Sequence, residues 1–196
     1  MPAEVERRLA DWAEAELAES DVLVVSDYAK GVVSPALARA TIDAAGERRI
    51  PVVVDPKGSD YAKYRGATVL TPNVRDAKRA AHIAPETFVE LREVARRLAD
   101  VLPGSALLIT RGAEGMSLFA DSETMDVPAE AHDVYDVTGA GDTVVAVLAA
   151  ALGSGVGLAD AVRLANTAAG VAVSKVGTAS VTLEELAARL EGQTPS

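Results

Sequence analysis

Cysteine is absent from the 196 residues of the sequence, and histidine occurs only twice, as His82 and His132. Without cysteine, disulfide bonds, thiolate metal sites and cysteine nucleophiles are all excluded. The two histidines lack the spacing of metal ligands, and no serine lies in a G-x-S-x-G context. The sequence therefore gives no support for a histidine metal site, a catalytic triad or a serine hydrolase.

Basic residues are scarce. Lysine and arginine number 19 against 29 aspartates and glutamates, which gives a formal net charge of -10 and a pI near 4.7. A chain with this balance has no basic stripe to neutralise a phosphate backbone. We therefore expect no nucleic-acid partner.

Long apolar runs are missing as well. The longest, VVAVLAAAL at residues 144–152, is well short of the roughly 20 residues that a membrane-spanning helix needs. The N-terminal stretch MPAEVERRLADWAEAEL is charged and has a helical pattern, unlike a signal peptide. These features predict a cytoplasmic protein without a membrane partner.

The sequence does contain enough apolar residues, 49% of the total, to form one sizeable core. No low-complexity linker divides the chain. We therefore predict a single domain over residues 1–192, followed by a disordered tail over residues 193–196.

Helical and strand patterns alternate along the first part of the chain. Amphipathic or capped segments predict helices at residues 3–18, 35–47, 73–81 and 86–100. Short apolar runs predict strands at residues 22–25, 52–54, 68–70 and 106–110. Apolar strands separated by helices are typical of a parallel sheet that helices cover on both faces.

The pattern changes after Gly115. Residues 116–120 and 124–127, separated by Asp121-Ser122-Glu123, predict an antiparallel hairpin. The remainder is predicted to be helical, at residues 141–152, 158–175 and 183–190, with Thr182 as the N-cap of the last helix. We therefore predict an α/β protein with a mostly parallel sheet.

The segment DVYDVTGAGDTVVAVLAAAL at residues 133–152 places small residues where a loop becomes a helix. Gly139, Ala140 and Gly141 would let an anion approach the free N–H groups of the first helical turn, which predicts a phosphate site. Asp142 beside that site has two interpretations. It is a general base for an attacking hydroxyl, or it is only a helix cap.

Five blocks of sequence resemble one known family. They are SDYAKGV (26–32), DPKGSDYAKYRGATVLTPN (55–73), ITRGAEGMSL (109–118), VYDVTGAGDTV (134–144) and ANTAAGVAVSKVGTASV (165–181). In this order they resemble the ribokinase-like (phosphofructokinase B) sugar kinases, and among these the D-glycero-β-D-manno-heptose 7-phosphate kinases. GAGD alone would be a weak signal, but five ordered blocks are specific.

The resemblance implies a ribokinase-like three-layer α/β/α fold. It implies transfer of the ATP γ-phosphoryl group to the anomeric hydroxyl of heptose 7-phosphate, with Mg²⁺ and a monovalent cation such as K⁺. In this family the position of Asp142 is the catalytic base, and Gly139, Ala140 and Gly141 form its anion hole.

The resemblance also implies roles for residues elsewhere. Asn73 and Asp76 would meet ATP phosphates and water-bound Mg²⁺, and Asp136 would belong to a monovalent-cation site. The implied nucleotide-side residues are Thr110, Gly112, Gly115 and, on the helix beside the adenine pocket, Asn166. Arg111 either lies over the nucleotide or only meets solvent.

On the acceptor side, Asp27, Lys30 and Gly31 follow a strand end, where the family resemblance implies a substrate loop. Lys57 either reaches a substrate phosphate or forms a solvated ion pair near Asp55. The implied small-molecule partners are thus a sugar phosphate and ATP.

Two departures from the family pattern limit the expected activity. Asp76 stands where the family usually has glutamate, so its shorter arm would reach Mg²⁺ through an extra water. Relatives also carry a further N-terminal region with the first sheet strands, most sugar-binding residues and a lid. We therefore expect an exposed sheet edge, a homo-oligomer or a complementing N-terminal segment, and weak activity of this chain alone. The alternative is a non-catalytic nucleotide-binding or assembly module.

Overall fold

The computed structural model describes residues 1–84, 89–120, 123–130 and 135–192. Within these residues there are six strands and seven α-helices. The strands are β1 (Leu23–Ser26), β2 (Val52–Asp55), β3 (Val69–Leu70), β4 (Ala106–Thr110), β5 (Met116–Ala120) and β6 (Glu123–Val127). The helices are α1 (Ala3–Glu16), α2 (Pro35–Glu47), α3 (Val74–Ala80), α4 (Leu91–Val101), α5 (Ala140–Gly153), α6 (Leu158–Val173) and α7 (Leu183–Leu190).

All six strands form one sheet in which spatial order follows chain order, β1-β2-β3-β4-β5-β6. Strands β1 to β4 run parallel, with Val25 opposite Val54 and Val54 opposite Leu70. Strands β5 and β6 continue the sheet as an antiparallel hairpin. The predicted α/β fold with a mostly parallel sheet is confirmed.

Helices cover the sheet on both faces, as the apolar strand sequences predict. On β2, Val52 and Val54 point into a core formed with α2, α3 and α4, whereas Val53 points into a second core formed with α5 and α6. Each of these three valines is at most 1% exposed. This burial on both sides explains why β2 reads as a continuous apolar run.

The predicted element boundaries need few corrections. Helix α2 begins with Pro35 after the cap Ser34, and α7 begins after Thr182, both as predicted. Helix α4 begins at Leu91, later than predicted, and Val89 and Glu90 lie before it outside the helix. Residues 86–88 of the predicted helix lie outside the described part. Glu123 belongs to β6 rather than to the predicted hairpin turn, whose residues 121–122 are also not described.

Strand β1 lies at one edge of the sheet and pairs with β2 alone among the described strands. Its Val24 is 42% exposed, and Trp12 on the neighbouring helix α1 is 62% exposed. In the described ranges, no helix combines the length and the apolar character that crossing a lipid bilayer requires. The predictions of one domain over residues 1–192 and of a disordered tail at 193–196 stay predictions, and the tail lies outside the described residues.

Candidate active site

Two adjoining cavities lie where the parallel strands end and α5 begins. The smaller, the strand-end cleft, has a volume of about 220 Å³ and is lined by residues at or just after the ends of β1, β2, β3 and β4 and by the start of α5. The larger, the hairpin-side pocket, has a volume of about 520 Å³ and lies between the β4–β5 turn, α5 and α6. Asn73, Thr110 and Gly141 line both cavities, so the two are continuous at these residues.

The start of α5 separates the two cavities. Gly139 is the N-cap, with a φ of 82°, and no side chain caps the helix. A Cβ on Gly139 would lie 3.0 Å from the Thr178 side chain, so both space and backbone conformation favour glycine. The first N–H groups of a helix have no partner within the helix, and together with its dipole they attract an anion.

Asp142 is the third residue of α5, and it lines the strand-end cleft from an exposed position. Because Gly139 occupies the cap position, the structure contradicts the alternative that Asp142 is the helix cap. The side chain instead shares a small cleft with the polar groups that follow β2 and β3. This placement leaves a carboxylate free to meet a ligand.

Asp55, at the end of β2, lines the same cleft and was not identified from the sequence. Burial raises its pKa, and the carboxylates of Asp142, Asp76 and Asp27 raise it further, whereas the ammonium of Lys57 lowers it. The cleft therefore concentrates negative charge around one lysine. Clefts in which burial and like charge perturb a carboxyl group are typical of functional sites.

Lys57, Asn73 and Asp76 form one hydrogen-bonded group beside the cleft. Lys57 Nζ donates to Asp76 Oδ2 at 2.9 Å, and Asn73 Nδ2 donates to the same oxygen at 3.0 Å. The Asp76 backbone N–H donates to Asn73 Oδ1 at 2.8 Å, which caps α3. Although burial lowers the pKa of Lys57, Asp76 and Asp55 raise it above its ordinary value. Lys57 is thus both ion-paired and exposed to the cleft.

The β4–β5 turn forms one wall of the hairpin-side pocket. Gly115 has a φ of 87°, and a Cβ there would lie 2.1 Å from the carbonyl oxygen of Val127, so only glycine fits. Thr110, Gly112 and Gly115 line the pocket as the sequence suggests. Arg111 is not among the lining residues, and its Nη2 donates to the Glu114 carbonyl at 2.9 Å.

The other walls come from the last helices. Asn166 on α6 is 3% exposed, donates to the Pro128 carbonyl at 2.9 Å and lines the hairpin-side pocket. Asp136 lies outside both sets of lining residues. Its two oxygens accept from the N–H groups of Thr138 and Gly177 at 2.8 and 3.2 Å, which joins two loops. These bonds hold the pKa of Asp136 below its ordinary value, mainly through Thr138.

The structure separates Asp27 and Lys30 from the other candidate residues. Asp27 is 2% exposed and its carboxylate accepts from Lys63, Tyr64 and the Ala29 N–H, while Lys30 is exposed. Neither lines the strand-end cleft, which Tyr28 lines instead.

Five residues in or beside the strand-end cleft were not identified from the sequence, namely Tyr28, Asp55, Thr71, Lys63 and Tyr64. One signal was present for Lys63, because the pentapeptide SDYAK occurs twice, at residues 26–30 and 59–63. The lysine of the second copy pairs with the aspartate of the first.

Comparison with known proteins identifies the family of this chain. Residues 3–186 match the model of the pfkB family carbohydrate kinases. The chain belongs to this family. It is 53% identical over 186 residues to the Bifunctional protein HldE of Geobacter sulfurreducens and 47% identical over 189 residues to that of Trichlorobacter lovleyi. It covers 94% and 96% of its own length in these matches but only 38% of each relative.

Solved structures show the same fold at low identity. Phosphofructokinase-2 from Escherichia coli in complex with potassium matches with a TM-score of 0.79 at 19% identity, covering 95% of this chain and 61% of the other. Arabidopsis thaliana ribokinase complexed with ribose and ATP matches with a TM-score of 0.69 at 21% identity, covering 91% and 55%. The ribokinase-like fold and the resemblance to pfkB sugar kinases are therefore confirmed.

Proposed function

We propose that this chain carries the phosphoryl-transfer site of a heptose 7-phosphate kinase, which moves the γ-phosphoryl group of ATP to the anomeric hydroxyl of the sugar. The observation that carries the proposal is the placement of Asp142. Its carboxylate lies in the strand-end cleft, one residue from Gly141, which also lines the hairpin-side pocket. The proposed base Asp142 and the anion-binding start of α5 thus lie at the junction of the two cavities, where the acceptor and the nucleotide would contact each other.

Asp142 would accept the proton of the anomeric hydroxyl as its oxygen attacks the γ-phosphorus. The bond from phosphorus to the bridging oxygen breaks, and ADP leaves with that oxygen. The N–H groups at Gly139 and Gly141 would stabilise the negative charge on the transferring group. The Ala140 N–H would join them by giving up its bond to the Val137 carbonyl at 3.3 Å. A general base in this position contributes typically ~10²- to 10⁴-fold to the rate.

ATP would bind in the hairpin-side pocket. The volume of about 520 Å³ and the small or apolar lining residues Val144, Gly170 and Val173 suit a flat base. Asn166, Thr110 and the glycines Gly112 and Gly115 supply polar groups and close backbone approach. The triphosphate would then extend towards Asn73 and Gly141, which both cavities share.

Magnesium would bind mainly to the phosphates, where it neutralises the developing charge. Among the described residues there is no group of three or more acidic, histidine or cysteine side chains that could hold a metal ion. Mg²⁺ commonly keeps several waters and uses one or two carboxylates together with substrate phosphates. Asp76 is the carboxylate beside Asn73, and its bonds to Lys57 and Asn73 fit contact through water. Asp136, between two loops, is the candidate for a K⁺ site.

The acceptor would occupy the strand-end cleft, where Lys57 supplies the nearest positive charge among the lining residues. We propose Lys57 as a phosphate contact on the acceptor side, with the exposed Lys30 as a second one at the loop. Asp27 would support this loop without touching the acceptor, because its carboxylate is buried and already hydrogen-bonded.

The test is Asp142→Asn, with Asp60→Asn as a matched control at an exposed position in the β2–β3 connection. With heptose 7-phosphate and ATP, we expect Asp142→Asn to lose about 10²- to 10⁴-fold in ADP release. Binding of ATP, measured by calorimetry, stays unchanged because the carboxylate faces the acceptor. Equal rates for Asp142→Asn and the unmodified chain would refute the proposal.

A second candidate is a nucleotide-binding or assembly module without catalysis. The exposed Val24 on the β1 edge and the open, exposed position of Asp142 favour it. A poorly covered cleft admits water to the transferring group, so we propose that this chain alone is a weak kinase. ATP binding with no transfer, even when a longer relative's N-terminal segment is added in trans, would favour this module over the kinase.

A further inference from the structure

The loop between β1 and α2 borders the strand-end cleft. We call residues 27–34 the β1–α2 loop. Tyr28 in this loop is 63% exposed and lines the cleft. Ala29 and Gly31 have φ values of 54° and 84°, so the backbone adopts the left-handed conformation at two positions shortly after Tyr28. An alanine in the left-handed region is costly and persists only where neighbouring contacts hold it.

Lys63 supplies such contacts. Its Nζ donates to Asp27 Oδ2 at 2.6 Å, at the start of the loop, and to the Val33 carbonyl at 3.1 Å, near its end. The ammonium also lies 4.9 Å from the centre of the Tyr64 ring. One side chain from the β2–β3 connection therefore joins both ends of the β1–α2 loop.

Asp27 completes the arrangement. Its Oδ2 also accepts from the Tyr64 hydroxyl at 2.6 Å, and its Oδ1 accepts from the Ala29 N–H at 2.7 Å. Burial raises the pKa of Asp27, but the bonds from Lys63, Tyr64 and Ala29 outweigh burial and leave the pKa below its ordinary value. The carboxylate is thus ionised at neutral pH, and the pair with Lys63 persists.

We propose that Lys63 is a positioning residue for the phosphoryl acceptor. By joining Asp27 to Val33 it keeps the β1–α2 loop closed, so that the Tyr28 ring forms one wall of the strand-end cleft. An aromatic wall offers an apolar face to the C–H face of a sugar ring, while the polar lining groups meet its hydroxyls. This inference rests on the proposed kinase function, because it assigns the cleft to a sugar.

Three variants and one general control separate this role from a contribution to stability alone. Lys63→Ala removes the bridge between the loop ends. Lys63→Arg keeps a cation that can donate both to the Asp27 carboxylate and to the Val33 carbonyl. Tyr64→Phe removes one bond to Asp27 but leaves the bridge to Val33 intact, and Arg39→Ala removes an ion pair within α2 as a general control.

Trypsin reports on the loop without requiring activity, because Lys30 is exposed within it. The measured quantity is the ratio of cleavage after Lys30 to cleavage after Arg75, an exposed residue of α3. We expect Lys63→Ala to raise this ratio at least about tenfold, since a loop freed from both anchors opens locally. Lys63→Arg, Tyr64→Phe and Arg39→Ala keep the ratio near that of the unmodified chain. A uniform rise at both sites shows global destabilisation and would overturn the proposal, as would an equal rise for Tyr64→Phe.

The KM values for the two substrates test whether Lys63 affects binding of the acceptor specifically. We expect Lys63→Ala to raise the KM for heptose 7-phosphate at least about tenfold and to leave the KM for ATP within about twofold. Lys63→Arg restores the lower KM. Where turnover is too slow, calorimetric Kd values for the two ligands replace the KM values. Equal changes for both ligands, or none, contradict a positioning role.

The cleavage ratio and the ligand affinities distinguish failure of the proposed kinase function from failure of the proposed role of Lys63. If the unmodified chain does not bind heptose 7-phosphate, the proposed acceptor is wrong, and the role of Lys63 towards an acceptor falls with it. The cleavage ratio then still decides whether Lys63 holds the loop. If the sugar phosphate binds and the ratio does not change in Lys63→Ala, the kinase proposal stands and the inference about Lys63 is wrong.

Discussion

At the scale of single residues, the surroundings of Asp55 in the strand-end cleft disfavour its ionised form. Burial and three neighbouring carboxylates raise its pKa above the ordinary value of 3.8. A group whose pKa is raised by folding favours the folded state only when it is protonated. The ionised form of Asp55 therefore reduces stability at neutral pH, which is typical of residues kept for function rather than for folding.

Asp55→Asn tests this cost. The substitution removes the charge and retains the size, so we expect the Tm at pH 7 to rise by about 2 to 4 °C, corresponding to about 1 kcal/mol in a protein of this size. The gain disappears as the pH falls below about 4, because Asp55 is then protonated in both states. Thermal unfolding between about pH 3 and pH 8 measures it, and the exposed Asp60→Asn provides the control. A gain that does not depend on pH would contradict a charge effect.

The sequence identified many residues that the structure brings to the two cavities, and it did so through glycine-rich turns. Gly139, Gly141, Gly112 and Gly115 line them. Gly115 lies against the Val127 backbone and Gly139 against the Thr178 side chain, so a side chain would not fit at either position. Asp55 and Tyr28 could not be found in this way. Their position in the cleft depends on which strands are neighbours, and that is a property of the folded sheet.

At the scale of elements, local chemistry predicted the helix starts well. Ser34 and Thr182 both accept from a backbone N–H in the first turn of the helix that follows, and both boundaries are as predicted. Helix α4 lacks such a signal, because Glu90 occupies its cap position without a side-chain cap bond, and its predicted start was too early. A side-chain cap is therefore a sufficient signal for a helix start, although α1 and α6 begin where predicted without one.

Helix α7 depends strongly on its capping box. Thr182 Oγ1 accepts from the Glu185 N–H, and Glu185 Oε2 accepts from the Thr182 N–H and from Lys175 Nζ. No residue of α7 is buried, so little packing compensates for a lost cap. We expect Thr182→Ala to cost about 1 kcal/mol and to speed amide exchange in α7 roughly fivefold.

Hydrogen exchange resolved by residue measures this effect. Thr182→Ser keeps the hydroxyl and should retain the protection of the unmodified chain. Equal loss of protection in both variants would show that the threonine methyl group, rather than the cap, stabilises α7.

At the scale of the whole molecule, the two ends of the sheet differ. The β6 edge carries the exposed residues Glu123, Thr124 and Asp126, which oppose pairing with another strand. The β1 edge carries Val24 instead, which is 42% exposed. An exposed edge of this kind favours self-association or pairing with an added segment, as the sequence analysis expected.

We therefore expect the isolated chain to self-associate and Val24→Lys to shift it towards monomer. A lysine on an edge strand opposes pairing through its charge and its hydration. Sedimentation velocity over a range of concentrations measures the shift. Val176→Lys is the matched control, because Val176 is 85% exposed but lies in the connection between α6 and α7. An equal shift in both variants would show a general effect of charge.

The matching order of strands in chain and sheet has a consequence for biosynthesis. The ribosome releases the N-terminal part first, so β1 to β6 can assemble one after another, each onto the strand made just before it. Asp142 emerges only after all six. A nascent chain therefore displays the strand-end walls of the cleft before it possesses the group proposed to take the proton, and a half-made product cannot consume ATP by this route.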